Sequence, residues 1–509
     1  MFKIGIITCG VFLLTACGSD GDNSSSFATS YTASSLIQSS LNPSSSTQSS
    51  LNISSSSFSS SVPSSHTSVG SSSSINPEAS QVIQFIYPMQ YAHLGGAVET
   101  KLKLKLLDTE GLSAPVSQVF VGNIQLILSG GYWVSQNTLA LGASNDQSFE
   151  VKLVLDDGSE VEAQDLVINN HGGSTVTKAG MQRIHFARGL ALDVHDQKLY
   201  VSDPFKAKIL SLDLKTGISN TLFQLPPSED LVADLSWPLG VDVVNDKLYL
   251  LQDTYSYDKN LGDQRYHIKL HRIDATTGES SEYSDSNIDK PNFRVNSVRN
   301  IFVDTEKNFL PTTISSGSFA AIFSIDNRKS NSLVRWFIEG GVEGKTSSLS
   351  IDGNQLKADY TVSSFAFNPI DSRLYVARTY SDAEKSGSAG IVAVEAERDP
   401  LDGLSISADL WVNTPDITAP SAMLFTPDAS VLYIADSARI WILNTETKAI
   451  TLLSSSDIFP NKKGEGVSLG GNITAMALDQ SAGILYAAAD TDGVLAIDIK
   501  TGNRIAILK

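Results

Sequence analysis

Cysteine is almost absent: the 509 residues hold two, Cys9 and Cys17, both close to the N-terminus. The remainder therefore has no disulfide to constrain its unfolded state and no thiolate with which to bind a metal. Cationic charge is also scarce. Lys and Arg number 37 against 55 Asp and Glu, giving a formal net charge of −18, which argues against a nucleic-acid partner because phosphate binding needs a cationic surface. Histidine is sparse, with seven residues and no metal-ligand spacing. His267 and His271 sit four apart, which on a strand puts them about 13 Å from one another. There is no Gly-x-Ser-x-Gly elbow and no phosphate-cradling loop, and Gly464-Glu-Gly466 is a lone turn.

The one early apolar run, Ile4 to Leu14, follows Lys3 and is too short to span a bilayer, so it reads as a secretory signal. It closes on Leu14-Thr15-Ala16-Cys17, which resembles the lipobox of bacterial lipoproteins. That resemblance implies cleavage after residue 16, loss of Cys9 with the signal, and acylation of Cys17 as a membrane anchor. Gly18 and Ser19 stand where an Asp would retain such a protein in the inner membrane, so it further implies the outer membrane, on either of its sides.

Residues 17–80 form the lipidated N-terminus and a linker. Serine dominates from Ser24 to Ile75, and such a segment has too little apolar surface to offset its chain entropy, so it is expected to be disordered. As a flexible coil of about 52 residues it reaches roughly 40 Å. Residues 81–172 then alternate apolar and polar residues in short runs divided by Gly95-Gly96, Gly130-Gly131 and Asp157-Gly158. That pattern predicts a small β-sandwich, and it looks like the immunoglobulin-like modules of extracellular bacterial proteins.

Residues 173–509 carry an internal repeat. A Leu-Tyr step recurs at Leu199-Tyr200, Leu248-Tyr249, Leu374-Tyr375, Leu432-Tyr433 and Leu485-Tyr486, with a degraded copy at Ile301 to Phe309. Third strands end in Asp213-Leu-Lys-Thr-Gly217, Asp274-Ala-Thr-Thr-Gly278 and Asp498-Ile-Lys-Thr-Gly502, where the carboxylates suit local turns. Six copies at a spacing that suits four strands predict an all-β fold ending in a six-bladed β-propeller. The repeats resemble NHL and YWTD propeller repeats and, more loosely, the senescence-marker-protein and gluconolactonase family. The final copy carries its own outer strand, Asn503 to Leu508, so strand exchange between the termini is not evident; Val176 to Phe186 is the segment that could supply one.

Asp203, Asp253, Asp436 and Asp490 close the second strands of four copies. Turned inward, they would form an acidic ring able to hold a divalent cation, the one cofactor the pattern admits. In YWTD-like repeats the matching Asp resembles a latch on backbone between blades. The lactonase resemblance implies a metal held by Glu, Asn and Asp at the starts of inner strands, but Arg188 precedes Gly189 where the Glu would fall. Pro420-Ser421-Ala422 replaces the Pro-Asn-Gly turn, and Asn472-Ile-Thr474 replaces the Asp-Gly. Hard cations need converging oxygens, and the Arg188 charge opposes one.

Long connections are expected at Pro226 to Pro238, Tyr255 to Tyr266, Asp285 to Asn296, Arg378 to Gly390, Trp411 to Ala419 and Pro460 to Asn472. They bear Trp237, Tyr255, Tyr257, Arg294, Tyr380 and Trp411, side chains that stack on sugars or anchor a protein partner unless they pack between blades. Arg188, Arg294, Arg299 and Arg378 would suit a carboxylate ligand such as a uronic acid or a peptide end. The function expected is non-catalytic binding of a polysaccharide or an envelope protein through one loop-bearing face. A lactonase or lyase with a rebuilt metal site and a scaffold in outer-membrane assembly are the alternatives.

Overall fold

The computed structural model describes residues 82–93, 98–107, 109–141, 147–168, 184–225, 232–233, 239–242, 246–258, 263–284, 302–304, 319–326, 332–339, 342–349, 360–380, 389–399, 403–456, 462–490 and 493–508. All of them belong to the unit Ser73–Lys509, the second of two into which the chain divides. The expected signal, Cys17 and the expected serine linker lie outside the described residues.

The C-terminal part is all-β and propeller-like. Sheet one joins Gly189–Asp193, Lys198–Asp203, Lys208–Asp213 and Ser219–Gln224 in sequence order, each strand antiparallel to the next. Sheet two holds Val232–Ala233, Leu239–Asp242, Lys247–Asp258, Asp263–Asp274 and Ser280–Ser284. Sheet three holds Phe302–Asp304, Phe319–Asp326, Ser332–Glu339 and Val342–Leu349; sheet four holds Tyr360–Asn368, Arg373–Tyr380, Ala389–Asp399 and Gly403–Thr414. Sheet five joins Pro420–Phe425, Val431–Asp436, Arg439–Asn444 and Ile450–Ser455, and sheet six Ile473–Asp479, Ile484–Ala489, Gly493–Asp498 and Arg504–Leu508.

Second strands are apolar on both faces because a neighbouring sheet covers each side. Every residue of Ile484–Ala489 is buried, and so are the repeat tyrosines Tyr200, Tyr249, Tyr375, Tyr433 and Tyr486. One core cluster joins Tyr200 and Ile209 of sheet one to Leu248 and Leu250 of sheet two. Another joins Tyr375 to Phe425 and Ile434, and a third joins Tyr433 to Leu485 and Met476. Sheets six and one share a core as well, through Tyr486, Ala496, Leu190 and Leu199, so the chain's last sheet packs on its first. Each fully buried Leu, Ile or Val in these seams contributes about 1.5–3 kcal/mol.

The N-terminal part differs from the two-layer sandwich that the alternation suggested. Seven antiparallel strands form one sheet in the spatial order Ile83–Tyr87, Lys103–Leu106, Tyr132–Ser135, Ile124–Ser129, Val116–Val121, Gln147–Leu155, Glu160–Ile168, while Val98–Thr100 pairs separately with Leu139–Leu141. The two outermost strands nearly meet. Gln90 bridges them, its side-chain amide donating to Asp165 O at 2.7 Å and accepting from Val167 N at 2.7 Å, and Tyr91 N donates to Val167 O at 2.7 Å. Period-two patterning fixes which face is buried but not whether edges close.

This domain is built into the junction of sheets six and one. His93 and Ala506 exchange two backbone hydrogen bonds of 2.8 Å, adding a rung outside the last strand of sheet six. Gln84 donates to Gln197 Oε1 at 2.8 Å on sheet one, and Lys103 donates to Ala482 O on sheet six. Phe85, Leu104 and Trp133 belong to the same core as Leu199 and Tyr486.

Candidate functional site

Connections between second and third strands, together with the segments entering the innermost strands, lie at one end of each sheet. On sheet one that end is built around Asp203, which is fully buried. Its carboxylate accepts from His185 N at 2.8 Å and from Lys206 N at 3.2 Å, tying the incoming chain to the 3-10 turn Pro204–Lys206. Asp436 holds the incoming chain on sheet five, accepting from Ala419 N at 2.8 Å and Thr418 N at 3.3 Å. Both carboxylates thus hold backbone amides.

The ladder also shows that the four acidic candidates are not equivalent. Asp203 and Asp436 stand three residues after the repeat tyrosine, whereas Asp253 and Asp490 stand four after it. One residue along a strand reverses the face that a side chain takes. The residues at the Asp203 position in sheets two, four and six are Gln252, Arg378 and Ala489, a set with no common charge. Gln252 Oε1 lies 2.7 Å from His271 Nε2, both buried. Arg378 is buried opposite Gly390, where a Cβ would come within 3.3 Å of its Nε. Among the described residues no group of three His, Cys, Asp or Glu side chains is placed to hold a metal ion.

Asp490 forms an ion pair with Arg188, Nη2 to Oδ1 at 3.2 Å, across the sheet six and sheet one junction. Burial raises the Asp490 carboxyl above its ordinary pKa, and the Arg188 charge pulls it back. The Arg188 guanidinium also lies over the Phe186 ring at 4.5 Å. Neighbouring innermost strands are stitched nearby by hydroxyls at bulges: Ser421 donates to Ile473 O at 2.5 Å, and Thr474 donates to Ala187 O at 3.0 Å. Ser421 and Thr474 mark positions where the lactonase resemblance implied metal ligands, and here they hold one sheet to the next.

The expected connection Tyr255 to Tyr266 is instead part of a long hairpin, Lys247–Asp258 against Asp263–Asp274, that runs well past the innermost strand Leu239–Asp242. In its register Tyr255 pairs with Tyr266 and Tyr257 with Gln264, and Tyr255 also pairs with Val232 of the short strand Val232–Ala233. Trp411 is on the strand Gly403–Thr414 and packs edge-on against Tyr375, centroids 4.6 Å apart, with Lys448 Nζ 3.7 Å above its ring. Tyr380 ends the second strand of sheet four. Trp237, Arg294 and Arg299 lie outside the described residues.

Sequence reasoning overlooked Phe205 and read His185, which flanks the first repeat, as a surface or core histidine. Phe205 is 65% exposed on the 3-10 turn, and its ring stacks on His185 with centroids 5.9 Å apart and planes at 22°. The sequence signal was Pro204-Phe205 directly after the Asp203 that closes a second strand.

No family model matches the chain, and no curated protein matches it. Solved structures with a similar course include a gluconolactonase from Xanthomonas campestris, 14% identical over 62% of this chain and 86% of its own, TM-score 0.38. The calcium-binding protein regucalcin from Agrobacterium tumefaciens is 12% identical over 60% and 82%, TM-score 0.35. The Cps50 (Swd1) β-propeller domain of Myceliophteria thermophila is 10% identical over 64% and 88%, TM-score 0.35.

Proposed function

We propose that this chain is a lipid-anchored envelope protein whose six sheets are the blades of one propeller, and that it binds a glycan or a partner protein, without catalysis, through the face bearing the second-to-third strand connections. The observation that carries the proposal is the hairpin of sheet two, Lys247–Asp258 against Asp263–Asp274, which runs past the innermost strand Leu239–Asp242 and includes Tyr255, Tyr257 and Tyr266 in its register. Aromatic residues offer large contact area at low entropy cost and stack on sugar rings. The resemblance of Leu14-Thr15-Ala16-Cys17 to a lipobox supports the anchor. An outer-membrane location follows from Gly18 and Ser19, and a serine tether of roughly 40 Å would let the face work away from the lipid.

The lactonase alternative needs carboxylates free to converge on a metal. Asp203 and Asp436 are engaged by backbone amides and Asp490 by Arg188, a donor set that favours binding over metal-assisted hydrolysis. The test is a binding screen of the protein against glycans and envelope extracts, repeated with Tyr255→Ala and Tyr257→Ala. Loss of a specific partner in both variants supports the proposal. Hydrolysis of lactones by the wild type contradicts it.

A further inference from the structure

We infer that the stacked pair Phe205 and His185, flanked by Lys206, binds a sugar ring carrying an anionic substituent. The inference rests on the glycan reading above and names a site and ligand class for it. Phe205 is among the most exposed large apolar side chains of the described residues, yet the backbone beneath it is fixed. Pro204 opens the turn, Ala207 closes it in the left-handed region at φ 51, and Ala207 N donates back to Pro204 O at 3.1 Å. The same buried Asp203 carboxylate positions both stacked residues, through His185 N and Lys206 N. A rigid mount under an exposed aromatic face is what ring stacking on a pyranose requires, since little entropy is then lost on binding.

The charge around the stack selects the sugar. Lys206 Nζ lies 5.4 Å from the Phe205 ring centroid. Asp203 is buried and accepts from amides, and the Arg188 charge is already paired with Asp490. Lys206 is therefore the cation beside the exposed ring, suited to the carboxylate of a uronate or the ester of a sulfated sugar. The turn joins second to third strands, as the tyrosine-bearing hairpin does, so both features open at the same end of their sheets.

The test is calorimetric titration of the full-length protein in detergent with an oligogalacturonate, a sulfated galacto-oligosaccharide, a neutral cello-oligosaccharide and a glutamate-rich peptide. Binding of one anionic sugar, weakened about tenfold or more by Phe205→Ala and weakened with reduced salt dependence by Lys206→Met, supports the site and identifies uronate or sulfate. Ile370→Ala, an equally exposed apolar residue in a first-to-second strand turn, should leave affinity unchanged. Binding unaffected by Phe205→Ala in a variant with an unchanged melting temperature overturns the site while the proposed function stands. Equal affinity for the neutral sugar overturns the anionic assignment. Binding of the peptide alone, or of no sugar, overturns the inference and the glycan reading together.

Discussion

Gln90, in the N-terminal domain, places its backbone carbonyl where a Cβ on Gly217 would come within 2.5 Å of it. Gly217 ends the Asp-x-x-x-Gly turn of sheet one at φ 72. A Cβ on the matching Gly278 or Gly502 would come within 2.0 Å of Leu222 O or Leu453 O, each on the outer strand of the preceding sheet. At the junction of the first and last sheets, the N-terminal domain therefore occupies the place that a neighbouring sheet's outer strand takes elsewhere. With the His93 and Ala506 rung, it closes the outer seam without strand exchange among the described residues.

Gly217→Ala should destabilise the protein by at least about 1 kcal/mol more than Gly130→Ala. Both glycines have positive φ, but a Cβ on Gly130 meets nothing within 4 Å, so the difference isolates the seam from backbone strain. Urea denaturation of the two variants measures it. The wild-type chain should also unfold in one transition, because the N-terminal domain shares a core with sheets one and six.

Asp436→Ala and Asp203→Ala should each cost about 1–2 kcal/mol, since each removes a buried carboxylate that accepts from two part-buried backbone amides. Asp253→Ala, one residue out of register with them, should cost less. Denaturant midpoints at constant slope decide this, and equal losses at all three positions would show that the latch is not set by register.

Trp411→Ala should lower stability by about 2 kcal/mol and leave ligand binding unchanged, because the indole packs on Tyr375 and beneath Lys448 between sheets four and five. A loss of binding at constant stability would return Trp411 to the ligand face.

Acidification should destabilise the fold below about pH 4. The Lys247 ammonium, at 2.5 Å, and the amides of Thr277 and Thr276 hold the Asp274 carboxyl well below the usual carboxylate range. Asp157 and Asp428 are lowered by local hydroxyl and amide donors. A carboxylate with a depressed folded pKa stabilises above its unfolded value, near 3.9, and that stability is lost as pH falls toward the folded value. Asp490, raised by burial, acts in the opposite sense, its protonation favouring the folded state. Melting temperatures between pH 5 and pH 2 should therefore fall, and fall less steeply in Asp274→Asn.

The repeat tyrosines and the Asp-x-x-Thr-Gly turns made the propeller-like sheets legible in the sequence, because each is a local signal repeated at a fixed offset. The final sheet's own outer strand was legible for the same reason. What escaped were relations set by register and distance along the chain. Asp253 and Asp490 look like Asp203 and Asp436 in sequence, yet one residue separates their phases. Tyr255 to Tyr266 looks like a loop because its polar residues mask a ladder that tertiary pairing supplies. Gln90 closes the N-terminal sheet through one side chain, which no periodicity announces.

The most direct test of the account is a glycan-array and partner screen of the full-length protein, with thermal stabilisation as the second readout. A ligand at a hundredfold above its Kd adds about 2.7 kcal/mol, a readily measured shift. One class of glycan or one envelope protein should bind through the face carrying Phe205 and Tyr257, with binding lost on substitution there. A bound ligand insensitive to every substitution on that face, or turnover of a lactone by the wild type, would contradict it.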